Sequence, residues 1–139
     1  HGCEFPIVAP EHRFAETVQS RFGGADVVID GIGDAAREEN FAALARRGHW
    51  ISLGQASGAL QPISADRLVE KSITFSRPVV FDYTASPADL AARAARVWQA
   101  LADGSLQAPP IERHALGAAD EAHRRLESRR TIGALVLIA

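Results

Sequence analysis

Two short apolar runs that stop at glycine carry the chemical promise of this sequence. They are Val27-Val28-Ile29-Asp30-Gly31-Ile32-Gly33 and Trp50-Ile51-Ser52-Leu53-Gly54-Gln55-Ala56-Ser57-Gly58. Glycine at a strand end lets the backbone approach a ligand closely, and open parallel sheets bind ligands beyond the carboxyl ends of their strands. The pattern points to the part of a dinucleotide fold that touches nicotinamide and ribose.

Gly31-Ile32-Gly33-Asp34-Ala35-Ala36 also fits the G-x-G-x-x-A pattern of a pyrophosphate-binding turn. Such a turn is followed about 20 residues later by an acidic residue for the ribose hydroxyls. Counting on reaches Ser52-Leu53-Gly54-Gln55, which has no carboxylate. The reading adopted is a tight strand-to-helix turn later in the sheet.

Other chemistries find little support. The five histidines, His1, His12, His49, His114 and His123, lack zinc-ligand spacing, and one cysteine, Cys3, adds nothing. No Ser-His-Asp set or paired carboxylate stands out, and Glu38-Glu39 and Asp120-Glu121 read as solvated helix faces. A lone cysteine cannot form an internal disulfide, which fits a reducing cytoplasm. A net charge of −2 offers no basic field for nucleic acid. No apolar run approaches the roughly 20 residues that a membrane span needs. The 139 residues suit one domain with a modest core.

The elements that must position the glycine-rich ends alternate between strand and helix. Glu4–Val8 is expected as an edge strand, 12–22 as a helix with Phe14, Val18 and Phe22 on one stripe, and Val27–Ile29 as a strand buried on both faces. A helix is expected over 35–47, closed by Gly48, then a strand over 50–53. Ser64 should cap a short helix over 64–70, and Ile73–Phe75 should form a strand stopped by Pro78. The clearest helix runs from Ser86 to Asp103, with Leu90, Ala94, Val97 and Leu101 as its buried stripe. Pro109-Pro110 precedes a tail with a helix over 118–128 and a strand over 134–138. The alternation implies an α/β fold of parallel βαβ units.

The segments 26–33, 52–58 and 74–78, with Ala119–Arg129 and Thr131–Ile138, resemble the quinone oxidoreductase (zeta-crystallin-like) branch of the medium-chain dehydrogenase/reductase superfamily. The resemblance covers the C-terminal portion of that family from about Gly2 onward. It implies a partial Rossmann-type parallel sheet, strands three to six, with a C-terminal helix-strand tail. Residues 1–108 would be the C-terminal part of the nucleotide-binding domain. Residues 109–139 would pack on a GroES-like substrate domain not contained in the sequence. The family's first two strands and its phosphate-binding turn would precede Gly2, leaving the edge of the Val27–Asp30 strand bare. Stability is then expected to need a missing N-terminal half or strand exchange with a second copy.

The resemblance also implies residue roles. Main chain at Leu53, Gly54, Gln55 and Ala56 would meet the nicotinamide carboxamide. Ser76, Arg77 and Pro78 would play a similar part, Gly31, Gly33 and Asp34 would approach the ribose, and Arg129 would reach a cofactor phosphate. The cofactor implied is NADPH, with NADH as the alternative, since Ala9 stands where many relatives carry Tyr or His. Hydride would pass to a small-molecule quinone or enone with no protein nucleophile, so no catalytic residue is named. A homodimer through strand Ile73–Ser76 is the family habit. The alternatives are an enoyl-thioester reductase domain, and a catalytically inactive piece that acts only through partner contacts.

Overall fold

A computed structural model describes residues 3–128 and 130–139. The chain divides into two compact units, Gly2–Pro87 and Ala88–Ala139. No described helix is long and apolar enough to cross a membrane.

The first unit contains α1 (Ala15–Phe22), β1 (Ala25–Asp30), α2 (Arg37–Ala43), β2 (Leu44–Ser52), α3 (Ala65–Val69), β3 (Thr74–Ser76) and a single turn, α4 (Val80–Tyr83). The three strands form one sheet in the order β1-β2-β3, parallel throughout. Val28 pairs with Trp50, Asp30 with Ser52, and Ile51 with Ser76. This is the parallel α/β arrangement expected from the alternation of apolar runs and helices.

One face of the sheet carries the core. Phe41 from α2, Leu44, the fully buried Trp50 and Ile73 pack together, with Val28, Leu60, Ile63, Leu68 and Phe75 around them. The Trp50 ring meets Phe41 edge-on at 5.2 Å and Phe75 at 5.1 Å. Each such aromatic pair contributes about 0.5–1.5 kcal/mol beyond burial. The Ser64 side chain accepts from the Arg67 amide and caps α3, as its position in the sequence predicts.

Three local expectations for this unit are corrected. Residues 4–8 form no strand. Pro6 has no N–H to contribute to a ladder. Phe5 instead packs on Phe22 at 5.5 Å, with the Arg21 guanidinium 3.9 Å above its ring. The helix expected to reach Arg47 ends at Ala43. Its last carbonyls are taken from afar: Lys71 Nζ donates to Phe41, Ala42 and Leu44 at 3.1, 3.1 and 2.7 Å, and Gln19 Nε2 donates to Ala42 at 2.7 Å. The chain then leaves extended at Leu44, and Arg47 rather than Gly48 takes the left-handed conformation. Finally, β1 is covered on one face only. Val28 and Asp30 point inward, while Val27 and Ile29 are 52% and 67% exposed.

At the start of α1 a residue distant in sequence supplies the cap. Glu39 Oε2 accepts from the amides of Phe14 at 2.8 Å and Ala15 at 2.7 Å. The amide of Ala15, then that of Phe14, holds the Glu39 carboxyl below its ordinary pKa, because both bonds favour the charged form.

The second unit holds α5 (Pro87–Ala102), β4 (Ile111–Ala115), α6 (Ala119–Glu127) and β5 (Ala134–Ile138). β4 and β5 pair in parallel from Ile111–Ala134 to Ala115–Ile138, with α6 as their crossover. Ala122 is the buried residue of α6, and Glu112 joins Arg125 at 2.6 Å and His114 at 3.1 Å. The stripe of α5 is not buried as expected. None of its residues is buried, and Leu90 and Val97 are about half exposed, because the short β4–β5 sheet packs on α6 instead.

Candidate functional site: the carboxyl rim of the β1-β2-β3 sheet

Because the three strands run the same way, Asp30, Ser52 and Ser76 end at a common rim. The chain leaving β1 and the chain leaving β2 interlock there. Leu53 and Gly54 donate their amides to the Asp30 carbonyl at 2.7 and 3.3 Å. Ala56 donates to the Gly31 carbonyl at 3.3 Å, and Ser57 to that of Ile32 at 2.8 Å. The Ser57 hydroxyl adds a second bond to Ile32 O at 2.8 Å and accepts from the Ala35 amide at 3.0 Å.

Two glycines make this approach sterically feasible. A Cβ on Gly54 would stand 2.7 Å from the Gly31 carbonyl oxygen and 3.1 Å from Gly31 Cα. A Cβ on Gly33, whose φ is +92°, would stand 2.9 Å from Gln55 Cα. Both obstacles are backbone atoms, so no rotamer change relieves them.

The buried Asp30 carboxylate fills the turn after β1. Oδ1 accepts from Ile32 N at 2.8 Å and from Gly33 N at 3.4 Å, and Oδ2 accepts from Gly33 N at 3.2 Å. A pyrophosphate needs such amides free, so Gly31-Ile32-Gly33 cannot cradle one while Asp30 holds them. Asp34 is likewise engaged: Oδ1 accepts from Gln61 N at 3.0 Å and faces Arg37 Nη1 at 3.5 Å. Gly31 itself is exposed, with nothing within 4 Å of a Cβ.

The segment Leu53–Ala56 lies on the open side of the rim. Leu53 is 61% exposed, and Gln55 and Ala56 are exposed too. Three of its four amides are taken by the carbonyls of Asp30 and Gly31, whereas the Gln55 N–H donates to no described residue. From the end of β3, Arg77 Nη2 donates to Gln55 Oε1 at 2.7 Å. Ser76 Oγ is 2.8 Å from His49 Nε2, and Pro78 follows as the strand stops. The residues expected at 31–34, 53–56 and 76–78 are thus brought to one rim. Arg129 lies outside the described residues.

Asp30, Ser57 and His49 complete the rim, and sequence reasoning gave them no role. For Asp30 a signal existed: Asp before Gly-x-Gly favours a turn in which the side chain bonds amides two and three residues on. Ser57 and His49 act through partners 22 to 27 positions away, beyond the reach of a local pattern. The rim can therefore bind and orient a planar polar group through main-chain and amide hydrogen bonds. Among the described residues no group of three or more His, Cys, Asp or Glu side chains is placed to hold a metal ion.

Comparison with known proteins agrees with this architecture. The sequence matches the zinc-binding dehydrogenase family over residues 2–137. It is 32% identical over 115 residues to the probable quinone oxidoreductase of Schizosaccharomyces pombe, covering 83% of this chain and 35% of that protein. It is 30% identical over 141 residues to the 2-haloacrylate reductase of a Burkholderia species, covering 99% of this chain and 42% of that protein. The structure of a mycobacterial protein complexed with NADPH superposes with a TM-score of 0.87 at 31% identity, over 99% of this chain and 44% of that one. The chain thus spans between 35% and 44% of the length of these relatives. With its parallel strands, its glycine-marked rim and a family match along almost its whole length, the chain belongs to the zinc-binding dehydrogenases, in the quinone oxidoreductase branch of the medium-chain dehydrogenase/reductase superfamily.

Proposed function

We propose that this chain forms the nicotinamide-facing portion of an NADPH-dependent reductase that passes hydride to a quinone or an activated alkene. The observation that carries the reading is the exposed segment Leu53–Ala56, fixed by three backbone bonds to Asp30 and Gly31 at the carboxyl end of a parallel sheet. Open parallel sheets bind their ligands at that end. The mycobacterial relative complexed with NADPH and the 2-haloacrylate reductase support the cofactor and the acceptor class.

The residues present fit the nicotinamide end of the cofactor. Its carboxamide needs a donor for its oxygen and an acceptor for its NH2. The Gln55 N–H and a main-chain carbonyl of Leu53–Ala56 would supply them, the Gln55 carbonyl already accepting from Gly58 N at 2.9 Å. Gly31, Gly33 and Asp34 shape the neighbouring turn toward the ribose, and Ser76, Arg77 and Pro78 bound the rim from β3. Arg129 is proposed for a cofactor phosphate. Since Asp30 already occupies the Ile32 and Gly33 amides, the pyrophosphate would be held elsewhere. The bound cofactor supplies the hydride; this chain's residues orient the ring and exclude alternative poses.

In the longer protein, residues 109–139 would pack on a substrate domain, and β3 would pair with its counterpart in a homodimer. The sheet order leaves β3 with one neighbour, β2, among the described residues. Sedimentation should give twice the mass of the chain, and a monomer would remove the dimer from the account. The cofactor reading is tested by titrating NADPH into the chain and following its fluorescence. Saturable binding weakened by Gly54→Ala is expected, and absence of binding at millimolar cofactor contradicts it.

A further inference from the structure

The contact between Arg77 and Gln55 assigns a direction to the Gln55 side chain. A guanidinium carries only donors, so the atom that faces it across 2.7 Å is an acceptor, the Gln55 carboxamide oxygen. The two N–H donors on Nε2 then point away from Arg77. The Gln55 backbone N–H donates to no described residue either. Gln55 is exposed, its side-chain and main-chain oxygens are engaged by Arg77 and Gly58, and its main-chain and side-chain N–H donors meet no described acceptor.

From this we infer that Arg77 is a positioning residue: it turns the Gln55 carboxamide so that Nε2 donates to a carbonyl oxygen of the ligand bound at the rim. The inference rests on the proposed function and deepens it by naming the group that is recognised. Two sources share that chemistry, the carboxamide oxygen of a dihydronicotinamide and the carbonyl oxygen of a quinone or enone acceptor. In the second case the donor has a further effect. Hydride from the bound dihydronicotinamide, which would be oxidised to pyridinium, would form a C–H bond at the acceptor and push the conjugated electron pair onto its carbonyl oxygen. A fixed N–H donor stabilises that growing charge until water delivers the proton.

Arg77 suits this task because it is planar and always charged, and it reaches across the β2–β3 ladder from the end of the shortest strand. Without it, Gln55 is an exposed side chain whose amide turns freely. Arg77→Lys would retain a donor and part of the orientation, whereas Arg77→Met would retain only the stem.

The experiment follows the Gln55 side-chain NH2 and the backbone amides of Leu53–Ala56 by 15N NMR of the full chain. Reduced nicotinamide mononucleotide and an oxidised benzoquinone are added in separate titrations. The expected result is a saturable shift of the Gln55 NH2 pair with at least one ligand, and the ligand that causes it identifies the carbonyl source. Arg77→Met should abolish that shift and weaken binding about three- to tenfold, the size of one neutral hydrogen bond. Arg77→Lys should restore part of both. The backbone amides should respond in all three proteins, which separates the side-chain inference from the proposed function. A backbone response with a silent Gln55 NH2, or an NH2 shift unchanged in Arg77→Met, overturns the inference alone. No response at any rim amide overturns both.

Discussion

Gly54→Ala probes the joint between the two strand-end loops, and the structure sets its size. The added methyl carbon would lie 2.7, 3.1 and 3.3 Å from the oxygen, Cα and carbonyl carbon of Gly31. Gly54 is not in the left-handed region, so the penalty is purely steric. The atoms in the way are main chain, pinned by the Ala56 bond to Gly31 and by the Asp30 carboxylate one residue before. Relief requires the loops to part and at least one of those bonds to break. Overpacking of this kind costs about 1–3 kcal/mol. With a urea slope of about 2 kcal/mol/M for a domain of this size, the midpoint should fall by about 0.5–1.5 M. The matched control is Gly31→Ala, on the opposite side of the same contact. There a Cβ meets nothing within 4 Å and the backbone is not left-handed, so the midpoint should barely move. Urea unfolding followed by tryptophan fluorescence, with Trp98 replaced by Phe so that Trp50 alone reports, measures both variants. If Gly54→Ala loses no more than Gly31→Ala, the loops do not interlock as described.

Three further outcomes are expected. Asp30→Asn keeps the shape but leaves a donor facing the Gly33 amide, so thermal unfolding should report a loss of about 1.5–3 kcal/mol, the range for hydrogen bonds to a charged group. Glu39 has a folded-state pKa below its unfolded value near 4.5, so it stabilises the fold above that value. That contribution is lost as pH falls from about 4.5 through the lower folded value, and urea midpoints should drop more steeply on acidification for the wild type than for Glu39→Gln. Trp50→Ala empties the centre of the core between Phe41 and Phe75, and chemical denaturation should show a loss of about 3–5 kcal/mol.

The parallel α/β plan was legible because it rests on local signals. Apolar runs ending at Gly31 and Gly54, a capping serine at Ser64 and the double proline before β4 each mark an element without reference to the rest of the chain. The junction of α2 and β2 was not legible, because Lys71 and Gln19 end the helix from 23 to 30 residues away. The α5 stripe was readable as amphipathic, yet periodicity does not say what covers it, and none of its residues is buried among the described residues. Edge strand 4–8 failed for a related reason: strand pattern in one segment does not supply a partner. At the rim, the positions 31–34, 53–56 and 76–78 followed from strand ends and resemblance. The roles inside it did not. That Asp30 would consume the turn's amides, or that Arg77 would aim Gln55 across 22 positions of sequence, depends on how the turns and strand ends are brought side by side.

The central claim is that Leu53–Ala56 meets the nicotinamide end of a reduced cofactor. Reduced nicotinamide mononucleotide lacks the adenosine half, so it probes that claim without the phosphate site. A crystal structure of the chain soaked with it should show the ring against Leu53–Ala56, with its carboxamide accepting from the Gln55 N–H. Density for the ligand on the α5 or β4–β5 unit instead, with the β1-β2-β3 rim empty at saturating concentration, would contradict the account.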